Sequence, residues 1–152
     1  MPNPKPADIA LESTGGPFRL SDNGGHPVVL YFYPKDDTPG CTTEGAAFRD
    51  LHAAFRKAGA AVFGVSRDSL RSHAGFKTKM AFPFELVSDP DEALCREFDV
   101  IRMKKMYGKS VRGIERSTFV IGADGKVLKE WRGVKVPGHA EEVLAFVQSL
   151  RA

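Results

Sequence analysis

The run Val28-Val29-Leu30-Tyr31-Phe32-Tyr33 holds six consecutive β-branched, aliphatic or aromatic residues with no polar alternation. A strand with apolar side chains on both faces must be covered on both, so this run predicts a central strand of a sheet sandwiched between layers. Pro34 ends it. Beyond the polar stretch Lys35-Asp36-Asp37, Phe48, Leu51, Phe55 and Ala58 recur at spacings of three, four and three. That is the apolar stripe of a helix lying on the sheet, with Gly59 as its C′ residue.

Thr38 is placed as N-cap, Pro39 suits the first helical position, and Gly40 lets backbone approach closely. Cys41 then falls in the first turn, where unpaired N–H groups and the positive end of the helix dipole favour a thiolate. Counted back along the stripe, Cys41 and Glu44 precede Phe48 by seven and four residues and should face inward. An inward carboxylate beside a thiolate needs a cation. Arg116, just before the apolar run Thr118-Phe119-Val120-Ile121, is an arginine suited to bridge a carboxylate and a substrate oxygen. Glu44 reads either as the group that orients Arg116 or as a plain helix-start carboxylate.

The pattern Pro34-x-x-x-Thr38-x-x-Cys41, with Thr42-Thr43-Glu44 after it and Arg116-Ser117-Thr118 downstream, resembles the peroxiredoxins, most closely the bacterioferritin comigratory protein or peroxiredoxin Q branch. The resemblance runs from about Pro17 to the C-terminal helix. It implies a thioredoxin-like α/β fold, a central mixed sheet flanked by helices with an N-terminal β extension. It also implies a thiol-dependent peroxidase acting on hydrogen peroxide and organic hydroperoxides in antioxidant defence and cell redox homeostasis. Cys41 would be the peroxidatic cysteine, Thr38 would hydrogen-bond the peroxide, Pro34 would shield the pocket, and Arg116 would stabilise the thiolate and the transition state. Attack on an O–O bond needs an ionised sulfur in line with it. Charge develops on the departing oxygen, so donors fixed beforehand, including backbone N–H groups near Gly40 and Cys41, lower the barrier. The product at sulfur is a sulfenic acid.

The second cysteine departs from the branch pattern. Many members carry a resolving cysteine five residues after the first, here Ala46; others carry it in the next helix, near Lys77 here. Cys95 is left as a semi-buried structural thiol or an atypical resolver that forms a Cys41–Cys95 disulfide. Without a resolver, thioredoxin, glutaredoxin or a small thiol reduces the sulfenate directly. Two other classes stay in view: a non-enzymatic redox sensor, and a thioredoxin-like dithiol oxidoreductase, which the lack of Cys-x-x-Cys disfavours.

A length of 152 residues with 42% hydrophobic and 27% charged composition suits one domain spanning 1–152, with residues 1–7 expected to be flexible. A net charge of +3 argues for neither a nucleic-acid nor a membrane partner. The proline-rich start has no apolar h-region after it, and two cysteines make no secreted disulfide framework. Cytoplasmic localisation and a monomer are expected, and no cofactor. His26, His52, His73 and His139 are scattered without ligand spacing and read as surface histidines, so no metal site is expected.

Short strands are predicted at Ile9 to Leu11 and Phe18 to Leu20 around a Gly15-Gly16 turn, and a loop at Asp22 to Gly25. Ala61 to Val65 and Phe84 to Val87 read as strands, and Ser69 to Met80 as a helix. Ser88-Asp89-Pro90 would cap a short helix to about Phe98. The basic stretch Arg102 to Glu115 reads as loop. Thr118 to Ile121 and Lys126 to Trp131 form a hairpin around Asp124-Gly125, and Ala140 to Leu150 closes the chain as a helix.

Overall fold

A computed structural model describes residues 5–150. The apolar run forms β3 (Val28–Phe32), buried along its whole length as the absence of alternation predicts. It pairs in parallel with β4 (Ala61–Ser66) and antiparallel with β8 (Ser117–Ile121), itself wholly buried. On one side β4 continues into β5 (Glu85–Ser88) and on to the N-terminal hairpin of β1 (Leu11–Ser13) and β2 (Gly16–Phe18). On the other side β8 continues into β9 (Val127–Arg132). The order β2-β1-β5-β4-β3-β8-β9 makes one mixed seven-stranded sheet with the expected N-terminal β extension at its edge.

Alternate residues of β3 feed two cores. Val29, Tyr31 and Tyr33 pack with α1 (Pro39–Asp50), α2 (His52–Lys57), α3 (Leu70–Met80) and α5 (His139–Ser149). Val28, Leu30 and Phe32 pack on the opposite face with Leu94, Cys95 and Phe98, which belong to or border α4 (Ala93–Glu97).

Several boundaries differ from expectation. The N-terminal strands are Leu11–Ser13 and Gly16–Phe18, because the Ser13 hydroxyl donates to the Gly16 carbonyl at 2.7 Å and closes the turn over Thr14-Gly15. Leu20–Asn23 forms a 3-10 turn in place of strand and loop. The helix expected from Thr38 to Ala58 breaks at Leu51 into α1 and α2, while Gly59, at φ +84°, ends it as foreseen. The short helix starts only at Ala93, with Asp89 Oδ2 accepting from the Cys95 N–H at 2.8 Å. The flexible segment expected at residues 1–7 lies in part outside the described residues; within them, the Ala7 N–H donates to Glu97 Oε2 at 2.7 Å.

The largest correction is the basic stretch. It forms a separate antiparallel pair, β6 (Ile101–Met106) and β7 (Lys109–Ile114), turning at Tyr107 and Gly108 with φ of +53° and +77°. Two consecutive positive φ values are the primed-turn geometry that matches strand twist. Charged stems in place of apolar side chains hide the period of two. Arg112 is tied to Glu92, a buried residue that also accepts from Arg67 at 3.0 Å.

Candidate active site

The strand β3 delivers the chain to the site and β8 brings the cation. Phe32 pairs with Ser117, so Arg116 stands opposite the point where the chain leaves β3. This register puts the Arg116 guanidinium against the first turn of α1, beside a cysteine 75 residues away in sequence. Its Nη2 donates to Cys41 Sγ at 3.4 Å, and its Nη1 donates to Glu44 Oε1 at 2.6 Å. Cys41 is 2% exposed and Glu44 is likewise buried. One planar fork thus holds the thiol and the inward carboxylate, a geometry lysine could not supply.

Gly40 makes the approach feasible. A Cβ there would lie 3.1 Å from Arg116 Nη2. The close approach expected of this glycine is therefore that of a side chain. Burial pushes the Glu44 carboxyl up to about 7, with Arg116 pulling the other way, and Oε2 has no hydrogen-bond partner in the protein.

Thr38 is the N-cap by position, at φ −94° and ψ 156°, but its hydroxyl does not cap the helix. Instead Oγ1 donates to the Lys35 carbonyl at 2.9 Å. With its proton so committed, the oxygen's lone pairs can accept from an O–H. The Gly40 and Cys41 N–H groups, in the first turn, have no intrahelical carbonyl to reach. Pro34 follows Tyr33, the buried aromatic just past the end of β3, and is half-buried at the start of the loop.

Cys95 is fully buried and sits in the other core. Burial, and then the Asp89 carboxylate beside it, push its thiol well above the ordinary cysteine range. The structure therefore places Cys41, Glu44, Thr38 and Arg116 at one junction and leaves Cys95 out. A Cys41–Cys95 disulfide would have to cross the sheet, whereas the bond needs Cα atoms within about 7 Å. The atypical-resolver alternative would thus require Cys95 or Cys41 to leave its core.

The family model described as AhpC/TSA matches residues 4–130. The chain belongs to this family. It is 57% identical over 143 residues to peroxiredoxin Bcp of Xanthomonas campestris, covering 93% of this chain and 89% of that protein. It is 47% identical over 147 residues to peroxiredoxin Bcp of Bacillus subtilis, covering 96% and 94%. The solved Xanthomonas bacterioferritin comigratory protein, studied for alkyl peroxide reduction, superposes with a TM-score of 0.90 at 54% identity, over 95% of this chain and 92% of that one. A peroxiredoxin Q structure from Xylella fastidiosa gives 0.91 at 46% identity, over 99% and 98%. The chain is thus a peroxiredoxin of the Bcp and peroxiredoxin Q kind with a thioredoxin-like fold, and a thiol-dependent peroxidase.

Two of this peroxiredoxin's histidines are not on the surface. His139 is buried and its Nε2 lies 2.8 Å from Thr118 Oγ1; burial lowers its pKa. His73 is wholly buried beside Asp36, in the loop that leads to Thr38. Sequence reading gave Asp36 no role and took His73 for a surface histidine; its place on the inward face of α3, three residues before Phe76, was the signal.

Proposed function

We propose that Cys41 is the peroxidatic thiol and that the chain works as a one-cysteine enzyme on hydrogen peroxide and organic hydroperoxides. The ionised sulfur attacks the near oxygen of the O–O bond. An S–O bond forms, the O–O bond breaks, and the leaving oxygen departs as water or alcohol after taking a proton. Thr38 accepts from the peroxide hydroxyl, Pro34 shields the sulfur from water, and Arg116 with the first N–H groups of α1 donates to the oxygen that gains charge. Glu44 holds the guanidinium in its orientation. The observation that carries this reading is the Arg116 fork, with one nitrogen 3.4 Å from Cys41 Sγ and the other on Glu44.

An external thiol then condenses with the Cys41 sulfenic acid, releasing water, and a second thiol attacks the donor sulfur of the mixed disulfide, so that Cys41 leaves as a thiolate and the donor departs as a disulfide. Thioredoxin, glutaredoxin or a small thiol fits that chemistry. The proposed setting is the cytoplasm, where such donors keep free cysteines reduced; among the described residues no helix is long and apolar enough to cross a membrane. The proposed state is a monomer, in keeping with exposed charged residues Lys129, Glu130 and Arg132 along the edge strand β9.

Peroxide turnover with excess dithiothreitol tests the assignment. Wild type consumes peroxide catalytically, Cys41→Ser consumes none while keeping its fold, and Arg116→Ala is slower by at least about a hundredfold. Turnover retained by Cys41→Ser overturns the assignment.

A further inference from the structure

Asp36 and Asp37 lie between Pro34 and Thr38, and the fold secures them far more firmly than a loop requires. The Asp36 N–H donates to Asp68 Oδ2 at 2.9 Å, and Asp68 Oδ2 in turn accepts from the Ser66 hydroxyl at 2.6 Å. The Asp36 side chain is held separately. Its Oδ1 accepts from the Tyr33 hydroxyl at 2.6 Å, and its Oδ2 accepts from the Ser72 hydroxyl at 2.8 Å and faces His73 Nδ1 at 2.7 Å. The far nitrogen of that ring, Nε2, lies 2.9 Å from the Val87 carbonyl.

The hydrogens follow from the partners. A carbonyl can only accept, so Nε2 carries a proton and donates to Val87 on β5. Between Nδ1 and Asp36 Oδ2 one proton is shared, whichever of the two carries it. His73 therefore links the active-site loop to β5 through two hydrogen bonds of a buried ring. Asp36, Asp68 and His73 also bring three ligand-type atoms within 4.8 Å of one another. Each of those atoms already has protein partners, which makes the group a hydrogen-bond cluster and not a metal cage.

The loop needs such support. Asp37 adopts φ +60°, a left-handed conformation that costs a non-glycine residue energy and persists only where its surroundings fix it. This kink turns the chain from the strand direction into α1. Its side chain is tied to α3 by Lys79 at 2.7 Å. Thr38 follows immediately, and the Thr42 N–H donates to its carbonyl at 2.8 Å as the helix begins. Whatever fixes Asp36 and Asp37 fixes Thr38, the first N–H groups of α1 and Cys41 relative to Arg116.

We propose that Asp36 and His73 are positioning residues for the peroxide reaction, clamping the Pro34–Thr38 loop to α3 and β5 so that the donors and the sulfur are aligned before peroxide arrives. The pair touches neither peroxide nor sulfur. Its effect is on alignment, where a displacement of about 1 Å costs on the order of a hundredfold. The proposal rests on Cys41 as the reacting thiol, and the wild-type protein tests that separately in the same assay.

The experiment compares two rates at Cys41 in His73→Gln, Asp36→Asn and Ser72→Ala, by rapid quench and mass spectrometry. Oxidation by hydrogen peroxide requires the aligned donors; alkylation by iodoacetamide requires only an accessible thiolate. Far-ultraviolet circular dichroism checks the fold. The expected result is a peroxide rate ten- to a hundredfold lower for His73→Gln and Asp36→Asn, with alkylation within about threefold of wild type. Ser72→Ala, which removes an exposed donor and leaves the buried Asp36–His73 pair in place, loses three- to tenfold in the peroxide rate alone. Peroxide rates within threefold of wild type in the folded variants overturn the proposal, as does an equal loss in both rates. If the two buried variants do not fold, an unchanged peroxide rate in Ser72→Ala overturns it by itself.

Discussion

Cys41 and Cys95 lie on opposite faces of the sheet, Cys41 packed with Val29, Tyr31 and Tyr33 and Cys95 with Val28, Leu30 and Phe32. Successive residues of one strand thus face the two thiols, and a bond between them would require at least one to leave the core it packs in.

Replacing Cys95 by serine should therefore leave peroxide turnover with dithiothreitol within about twofold of wild type, while the polar substitution in a dry core lowers stability by roughly 1–3 kcal/mol. In the native wild type, Cys95 should resist alkylation under conditions that label Cys41 completely. Loss of turnover in a folded Cys95→Ser protein would show that the buried thiol takes part.

Gly40→Ala separates stability from activity. Alanine in a helix gains up to about 1 kcal/mol over glycine. Its Cβ would stand 3.1 Å from Arg116 Nη2 and shift the guanidinium by a few tenths of an ångström relative to Cys41. The expected variant melts at or above the wild-type temperature and reacts with peroxide about tenfold more slowly. A wild-type rate would mean that the position of Arg116 is not critical.

Glu44 carries a pH signature. Burial raises its carboxyl from 4.5 to about 7, so the folded protein holds this proton more tightly than the unfolded chain. That contribution to stability is complete below about pH 4.5 and is lost as pH rises through about 7. Glutamine has no proton to lose. Glu44→Gln should thus gain on wild type as pH rises from 4.5 to 8, by on the order of 3 kcal/mol at most. It should react with peroxide more slowly, because Arg116 loses its anionic partner. Thermal melts at pH 4.5 and pH 8 check this; an unchanged gap between the two proteins would refute the buried-carboxyl cost.

The junction of β3 and α1 was legible because burial on both faces leaves an unbroken apolar run, and because Thr38-Pro39-Gly40 punctuates a helix start. Arg116 was legible as a candidate by its residue type and by family resemblance. Its reach depends on the antiparallel register of Phe32 with Ser117, a long-range pairing that local periodicity does not encode. The Asp36–His73 clamp was hidden for the same reason, since 37 residues separate partners joined only by tertiary packing. The β6–β7 hairpin escaped because lysine and arginine occupy strand positions in which apolar side chains would have marked the alternation. Thr38 was read correctly as a boundary, yet its hydroxyl turns back to Lys35, a choice of partner open to any threonine at an N-cap.

The most direct test is the intact mass of the reduced protein after one equivalent of hydrogen peroxide, with peptide mapping of both cysteines. A one-cysteine peroxidase gains a single oxygen at Cys41 and keeps Cys95 as a free thiol. Loss of two hydrogens with a linked Cys41–Cys95 peptide would contradict the separation of the two thiols by the sheet, and an unmodified Cys41 would contradict its role as the peroxidatic residue.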